Sequence, residues 1–360
     1  MFDFSKTYTL PFKYKIPNYI DFHLKDIPKF KRFVKFLRRC VFILVRRQKN
    51  LEVFSILPKH KKILWINISA PSLGDSLMDL SSRIMLTNKN IDLFTDIKNA
   101  HIYADDIFFN NVYVNVSELK NHHYDLVILD SFSSRSMNIK SKLLPSLPFV
   151  GMFGFFNGPE VNRILFSFHQ MNHLLGYIKS EEEINNISTN TITISKKDTE
   201  LIKAITPKIY ITIAIGGEWE YKIYGKWGDL IQKITSNYKK INIVLVGSKN
   251  AQNESIELIE RFNDVQFIDL VSKLSFNQTA EVIKHSQALI CCDGGLMHAA
   301  SAVNANIISL LARLAPEMLF ADDNALCLFD ENDVNNIKVE DVLIKYDKLA
   351  SLFDIHLQDE

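Results

Sequence analysis

The feature that most restricts the fold of this chain is a recurring unit of short apolar run, turn and amphipathic helix. The run at residues 62–68 leads into a turn at Pro71-Ser72-Leu73-Gly74, followed by Leu77, Leu80, Ile84 and Met85 at helical spacing. Similar runs recur at residues 91–94 and 124–129, and residues 149–155 read as a further strand. Strands that are apolar on both sides belong in a parallel sheet covered by helices on two faces.

Residues 160–205 are mostly polar and helical in pattern, with a loop at 188–191, and read as a connection. A second series then begins, with strands expected at 209–215, 241–246, 266–269, 288–292 and 307–311. Helices are expected near 227–237, 251–262, 277–285 and 297–303, and residues 339–353 close the chain as a helix. No repeat of fixed period is present. The expectation is an α/β protein of two Rossmann-like domains facing a central cleft. Ligands in such sheets bind beyond the carboxyl ends of the strands. The expected divisions are a basic helical extension at 1–60, domains at 61–205 and 206–338, and a helix at 339–360 packing back toward the amino-terminal domain.

The chain has 360 residues, 47% of them hydrophobic, enough for two cores and incompatible with wholesale disorder. No apolar run reaches the roughly 18–20 residues that cross a bilayer, and the chain does not open as a secretory signal. Four cysteines (Cys40, Cys291, Cys292, Cys327) without a C-x-x-C pair argue against a disulfide scaffold or a zinc ribbon, so a cytoplasmic protein is expected. Cys291 and Cys292, on an apolar run, read as core residues.

The net charge of +1 averages two unlike parts. Residues 25–50 hold ten basic residues and one acid, Asp26, so that stretch carries +9 and the remainder −8. Within it, residues 29–47 read as a helix with Phe30, Phe33, Val34, Leu37, Val41, Leu44 and Val45 in one stripe and Lys31, Arg32, Lys35, Arg38, Arg39 and Arg46 opposite. Two readings stand: a helix lying in a membrane interface near anionic head groups, or one packed on the protein body with a solvated basic face. Phe36, Phe42 and Ile43 fall outside the stripe and point to additional burial. No nucleic-acid-binding module accompanies the patch, so a nucleic-acid partner is not expected.

Three loops carry candidate chemistry. Asp293-Gly294-Gly295-Leu296-Met297-His298 joins a buried run to a helix, where glycines admit close backbone approach and the helix start offers N–H groups to an anion. A plain strand-to-helix turn would look the same, and His298 reads equally as a phosphate donor or a packed histidine. Gly216-Gly217 with Lys222 and Lys226 suits a diphosphate, lysine acting as a mobile point charge; solvated surface lysines are the alternative. Asp75, in Ser72-Leu73-Gly74-Asp75, reads as a general base for an acceptor hydroxyl or as a helix cap. Trp219, Tyr221 and Trp227 could stack on a ligand or pack in the core. Motifs for dinucleotide binding, P-loops, zinc proteases and nucleophile elbows are absent, as is any D-x-D metal–nucleotide triplet.

In this order and spacing, the loops resemble glycosyltransferase family 9, the ADP-heptose:lipopolysaccharide heptosyltransferases of Gram-negative bacteria. Ile66-Asn67-Ile68-Ser69 to Asp75 looks like the family's first strand and S-x-G-D loop. Tyr124-Asp125 with Arg135-Ser136 looks like Y-D-x-V-I-D…R-S, and Val246-Gly247-Ser248 like its V-G-S/G turn. Asp293-Gly294-Gly295-Leu296-Met297-His298-Ala299-Ala300 is close to D-T-G-x-x-H-L-A-A. The resemblance runs over residues 62–316. It implies a GT-B architecture, with acceptor binding in the amino-terminal domain, nucleotide-sugar binding in the carboxy-terminal one, inversion at the anomeric carbon, and no metal or other cofactor.

Residue by residue, the resemblance implies Asp75 as catalytic base and Lys222 as the diphosphate lysine, with Lys226 as a competing match. Gly216, Gly217, Asp293, Gly294, Gly295, Leu296 and His298 would surround the donor, Glu254 would approach the ribose, and Ser72, Gly74 and Arg135 would meet the acceptor. The implied partners are an ADP-linked sugar, a lipopolysaccharide or lipooligosaccharide core acceptor, and the cytoplasmic face of the inner membrane through residues 25–50. Two alternatives stand beside heptosyl transfer. One is a transferase using another nucleotide-sugar for capsule or O-antigen; the other is a non-catalytic GT-B-like glycan- or nucleotide-binding protein. The chain departs from the family pattern where Gly294 replaces Thr, and where Leu311-Ala312-Arg313-Leu314-Ala315-Pro316 replaces Y/F-G-P-T-D-P.

Overall fold

The computed structural model describes residues 2–19, 28–68, 70, 72–238, 240–321 and 325–352. Lys25 and Asp26 of the basic stretch, Ser69 and Pro71 of the first loop, and residues 353–360 lie outside the described residues. The chain divides into two compact units, Met1–Thr189 and Asn190–Glu360.

In the first unit α1 (Lys29–Val45) precedes β1 (Lys62–Asn67), α2 (Leu73–Asp79), β2 (Asn90–Thr95), β3 (Asn111–Tyr113) and β4 (Leu126–Ser131). Its other main elements are α3 (Ser134–Leu143), β5 (Phe149–Gly154) and α4 (Arg163–Leu174). These five strands form one parallel sheet, in the order β3-β2-β1-β4-β5, and a separate short pair, Asn18–Tyr19 with Glu160–Val161, is antiparallel. The second unit runs α5 (Lys196–Ile205), β6 (Ile211–Ala214), α6 (Trp227–Asn237), β7 (Ile243–Val246), α7 (Gln252–Arg261) and β8 (Phe267–Asp269). Then come α8 (Phe276–His285), β9 (Leu289–Cys292), α9 (Gly295–Ala302), β10 (Ile307–Ala312), β11 (Ala325–Asp330) and α10 (Val339–Leu352). Its sheet is also parallel throughout, in the order β8-β7-β6-β9-β10-β11.

The expected runs thus form the expected strands. The sequence reading did not anticipate β3, which is only three residues long, or the half-exposed edge strand β11, whose burial shows no alternation. Each sheet reverses its winding at one strand pair, β1/β4 in the first unit and β6/β9 in the second. Loops leaving such a pair diverge to opposite faces, which opens a crevice at the carboxyl ends within each unit.

The Y-D…D…R-S segment is the scaffold of the first crevice. At the start of β4, Asp125 Oδ2 accepts the Lys61 and Lys62 N–H groups at 2.8 and 2.9 Å. At its end the buried Asp130 accepts the Ile68 N–H at 2.9 Å and the Ser136 hydroxyl at 2.7 Å. These two carboxylates tie β4 to both ends of β1 and fix where α3 begins.

The basic leader is not a separate extension. Phe36, Cys40 and Ile43 of α1 are buried in the same cluster as Leu64 and Ile66 of β1 and Val127 and Leu129 of β4. Upstream, Phe12 and Ile16 pack with Val161 and Phe166. Deletion of these segments would uncover one face of the sheet. Arg39 goes in with them, its guanidinium donating to the Gly154 and Phe155 carbonyls at 3.2 and 3.0 Å. Burial lowers its basicity, opposed by the charge of Asp130. The stripe from Phe30 to Val45, by contrast, stays exposed. Among the described residues no helix is long and apolar enough to cross a membrane.

Two expected divisions move. The boundary lies after Thr189 rather than after residue 205, because α5 packs on α8, with Gln278 Nε2 donating to Asp198 Oδ1 at 2.8 Å. The closing helix was expected to pack toward the first domain. Its described part instead buries Val342, Tyr346, Leu349 and Ala350 in the second unit's own core, where the Tyr346 and Tyr238 rings meet edge to face at 5.1 Å.

Lys140 gives the first unit a pH signature. It is buried on α3, its ammonium donating to Gln48 Oε1 just past α1, and burial lowers its pKa to about 8. Between about pH 8 and 10.5 the unfolded chain therefore holds a proton that the folded one has lost. Stability should rise through that window, and the cost of the buried lysine should be fully present below it. Lys140→Met should raise the melting temperature by a few degrees at pH 7, an advantage that thermal scans should show vanishing toward pH 10.5.

Candidate active site

Each crevice gathers polar side chains that are distant in sequence. In the first unit the loop after β1 enters α2 through a capping box. Ser72 Oγ accepts the Asp75 N–H at 3.1 Å, and Asp75 Oδ2 accepts from the Ser72 N–H at 3.2 Å and hydroxyl at 2.6 Å. Asp75 is thus a helix cap, yet its other oxygen, Oδ1, lies 3.5 Å from Arg163 Nε, with the side chain about one-fifth exposed. The cap orients the carboxylate and leaves it at the crevice surface. Gly74 is buried in the first turn of α2. Arg135 donates to the Ile68 carbonyl at 2.7 Å and lies 3.9 Å from Asp96, its side chain mostly exposed beside the loop.

Arg163 did not emerge from the sequence, where it is one cation at the start of a helical stretch. Only packing of α4 against α2 brings it to Asp75. It also grips Asp79 through two hydrogen bonds of 2.9 and 2.7 Å. Burial pushes the Asp79 carboxyl up to about 7 against the pull of Arg163, and the neighbouring charges of Asp75 and Asp130 add to the rise. Two carboxylates share one guanidinium, an arrangement that locks all three side chains.

The second crevice lies around β6 and β9. After β6, Gly216 has φ +84°, and a Cβ there would come within 2.8 Å of the Ala251 Cβ. Only glycine meets both conditions. Its N–H donates to the Glu254 carboxylate, whose pKa burial raises and this bond partly restores. The Gly217 carbonyl accepts from Asn250 Nδ2 at 2.6 Å. Gly216, Gly217 and Glu254 therefore lock the loop onto the β7–α7 turn. A single 3-10 turn, Glu220–Lys222, then brings the Lys222 ammonium onto the Asp293 carboxylate beyond β9. That ion pair is largely buried, with side-chain exposures of 17% and 6%.

Gly294 caps α9 and Gly295 begins it. N–H groups in the first helical turn have no acceptor within the helix and present positive partial charge. A Cβ at Gly294 would meet nothing within 4 Å, so the open space there fits a ligand oxygen as well as the Thr of the family pattern. Leu296 is half-buried in the first turn, and His298 is buried one turn further in. The guanidinium of Arg313 stacks 3.5 Å over the Tyr221 ring at the end of β10, on a backbone with φ +70°. Its Nε donates to the Asn332 carbonyl at 3.1 Å.

Lys222 and Asp293 are thus brought together, whereas Lys226 is not brought to them. Lys226 donates to the Asn335 and Ile337 carbonyls at 2.5 and 3.2 Å, a role in holding the turn before α6. Trp227 is buried against Tyr224 in the core, while Trp219 is exposed. Among the described residues no group of three or more His, Cys, Asp or Glu side chains is placed to hold a metal ion.

The sequence profile described as glycosyltransferase family 9 (heptosyltransferase) matches residues 157–339, half of the chain. The chain belongs to glycosyltransferase family 9. Similar folds occur in a family 9 glycosyltransferase from Veillonella parvula DSM 2008, at TM-score 0.66 and 14% identity over 82% of this chain and 98% of that one. The Escherichia coli ADP-heptose lipopolysaccharide heptosyltransferase II gives 0.63 and 16% over 81% and 99%. The E. coli heptosyltransferase WaaC, solved with ADP, gives 0.62 and 16% over 80% and 100%. At such identities the likeness is one of fold. No curated protein matches this chain by sequence. The match within this family 9 glycosyltransferase spans Arg163, Lys222 and Asp293 but stops short of α2 and of α1.

Removing Arg163 should expose the cost of the shared carboxylates. Arg163→Ala leaves Asp79 buried without its counter-charge, an expected loss of about 3–5 kcal/mol in urea unfolding at pH 7. The folded variant keeps a proton on Asp79 that the unfolded chain sheds near pH 4, so stability falls as pH rises. The parent's Asp79, at about 7, holds the same proton below that pH, so the Asp79 part of the deficit should stay level between about pH 4 and 6 and grow as the pH rises through 7.

Proposed function

We propose that this glycosyltransferase moves heptose from ADP-heptose, with inversion and without a metal, onto a lipopolysaccharide or lipooligosaccharide core at the cytoplasmic face of the inner membrane. The observation that carries the reading is the pairing of Lys222 with Asp293 across the β6/β9 divergence, beside the start of α9. A cation and a helix amino terminus at one point suit the two phosphates of a nucleotide diphosphate. Neighbours of the same fold add support, since WaaC was solved with ADP and with ADP-2-deoxy-2-fluoro heptose.

In this reading Asp75 takes the proton of an acceptor hydroxyl, and the hydroxyl oxygen forms a bond to the anomeric carbon. The bond from that carbon to the diphosphate breaks, and its electron pair leaves with the terminal phosphate oxygen. Lys222, the N–H groups of Gly294, Gly295 and Leu296, and His298 stabilise the charge that develops there. The cap from Ser72 and the guanidinium of Arg163 hold Asp75 in one orientation, so little reorganisation is needed at the moment of attack. Asp293 keeps Lys222 in place before the donor arrives. Ser72, Gly74 and Arg135 border the acceptor, and Gly216, Gly217 and Glu254 shape the donor loop.

Asp75→Asn should lower kcat by about 10²–10⁴-fold while leaving ADP-induced thermal stabilisation intact. Turnover close to that of the parent would remove Asp75 from the role of base.

The stacked Arg313 favours a second reading, transfer from a different nucleotide-sugar such as one used for capsule or O-antigen. It places a guanidinium on an aromatic face where the family pattern has a proline. Thermal scans with ADP, UDP, GDP and CDP separate the readings: the heptosyl reading requires ADP to stabilise most, and a larger shift with another diphosphate selects the alternative.

A further inference from the structure

Helix α1 has three faces, and among the described residues only two of them have partners. Phe36, Arg39, Cys40 and Ile43 form the buried face. A row of cations borders it on one side: Lys35 Nζ donates to Asn157 at 2.7 Å, Arg46 to Asn138 at 3.1 Å, and Arg38 reaches Ser134 at 3.5 Å, with Lys31 exposed in the same row. The third face is Phe30, Phe33, Val34, Leu37, Val41, Leu44 and Val45, between 44% and 74% exposed. Seven large apolar side chains on one helix form a patch, unlike the isolated exposed apolar residues common on soluble proteins. Phe33 extends it through Phe4, at 5.4 Å, toward the exposed Tyr8, whose ring lies under the Arg32 guanidinium at 5.2 Å.

We infer that this face is a docking surface for an anionic lipid bilayer, with α1 lying in the interface plane. The helix is about 25 Å long, and its cations rule out burial in hydrocarbon, but its apolar stripe and flanking cations match the acyl boundary and the phosphate layer above it. Hydrogen bonds to Asn157, Ser134 and Asn138 hold Lys35, Arg38 and Arg46 along one side of the helix, where they would meet head groups as the apolar residues enter. A second copy of the chain fits this face less well. Antiparallel pairing of two such stripes would set one row of Lys31, Lys35 and Arg38 beside another. The burial of Phe36, Cys40 and Ile43 on the sheet makes the surface a rigid part of the first unit rather than a tethered leader. The proposal extends the reading of a membrane-side acceptor, and lipid binding is measurable without donor or acceptor.

The test is flotation of the full-length protein with phosphatidylcholine vesicles containing about 30% phosphatidylglycerol, against vesicles of phosphatidylcholine alone. Val34→Glu with Val41→Glu alters two exposed positions, so melting temperature and ADP-induced stabilisation should match the parent. The pair should weaken binding to anionic vesicles by about tenfold or more. Lys31→Gln with Arg38→Gln should weaken it several-fold and flatten its salt dependence. Equal flotation of parent and Glu pair would overturn the proposal, as would a concentration-dependent dimer in sedimentation that the Glu pair dissolves. Loss of ADP stabilisation in the parent with vesicle binding intact would instead count against the donor assignment alone.

Discussion

The constraint on which this molecule depends is the burial of two parallel sheets on both faces. Interior strands such as β1, β4, β6 and β9 are apolar nearly end to end, so they carry no chemistry themselves. Polar function is displaced to the loops at their carboxyl ends, and only where the winding reverses do those loops separate enough to leave a crevice. Asp75 and Arg135 follow β1 and β4; Lys222 and Asp293 follow β6 and β9. The ion pair of Lys222 and Asp293 closes one such reversal, as the carboxylate of Asp130 closes the other.

The same geometry sorts motif residues into scaffold and chemistry. Asp125 and Asp130 spend their acceptors on backbone N–H groups and the Ser136 hydroxyl, so half of the Y-D…D…R-S segment is framework. Gly216 serves the loop backbone, and Lys226 serves a neighbouring turn. At Asp75 the cap leaves room for the proposed role of base, because a capping box occupies one carboxylate oxygen and fixes the direction of the other. The buried Asp79 and the guanidinium of Arg163 complete that arrangement, which orients the proposed base at the cost of desolvating charge.

The leader shows how an amphipathic pattern can mislead and inform together. Its periodic stripe was the natural choice for a buried face, yet the side chains that complete the sheet's cover are Phe36, Cys40 and Ile43, which lay outside it. The second apolar surface is therefore surplus to folding. Such a surplus on a fixed helix, beside ordered cations, is the physical basis for the lipid-facing edge proposed for this family 9 glycosyltransferase.

The sequence by itself determined the α/β class, nearly all of the strands and helices, and the three loops that hold the candidate site. Strand burial and turn chemistry are local and periodic, so they can be read from spacing alone. It could not separate Lys222 from Lys226, because both lysines follow the same glycines and differ only in which carboxylate or carbonyl the fold sets opposite them. Arg163 was invisible for a related reason: its partners, Asp75 and Asp79, are some 85 residues away and meet it only when α4 packs on α2. The unit boundary, the seat of α10 and the exposed face of α1 were likewise decided by long-range packing. Which apolar surface is covered depends on what else the chain brings to it, and no local pattern records that.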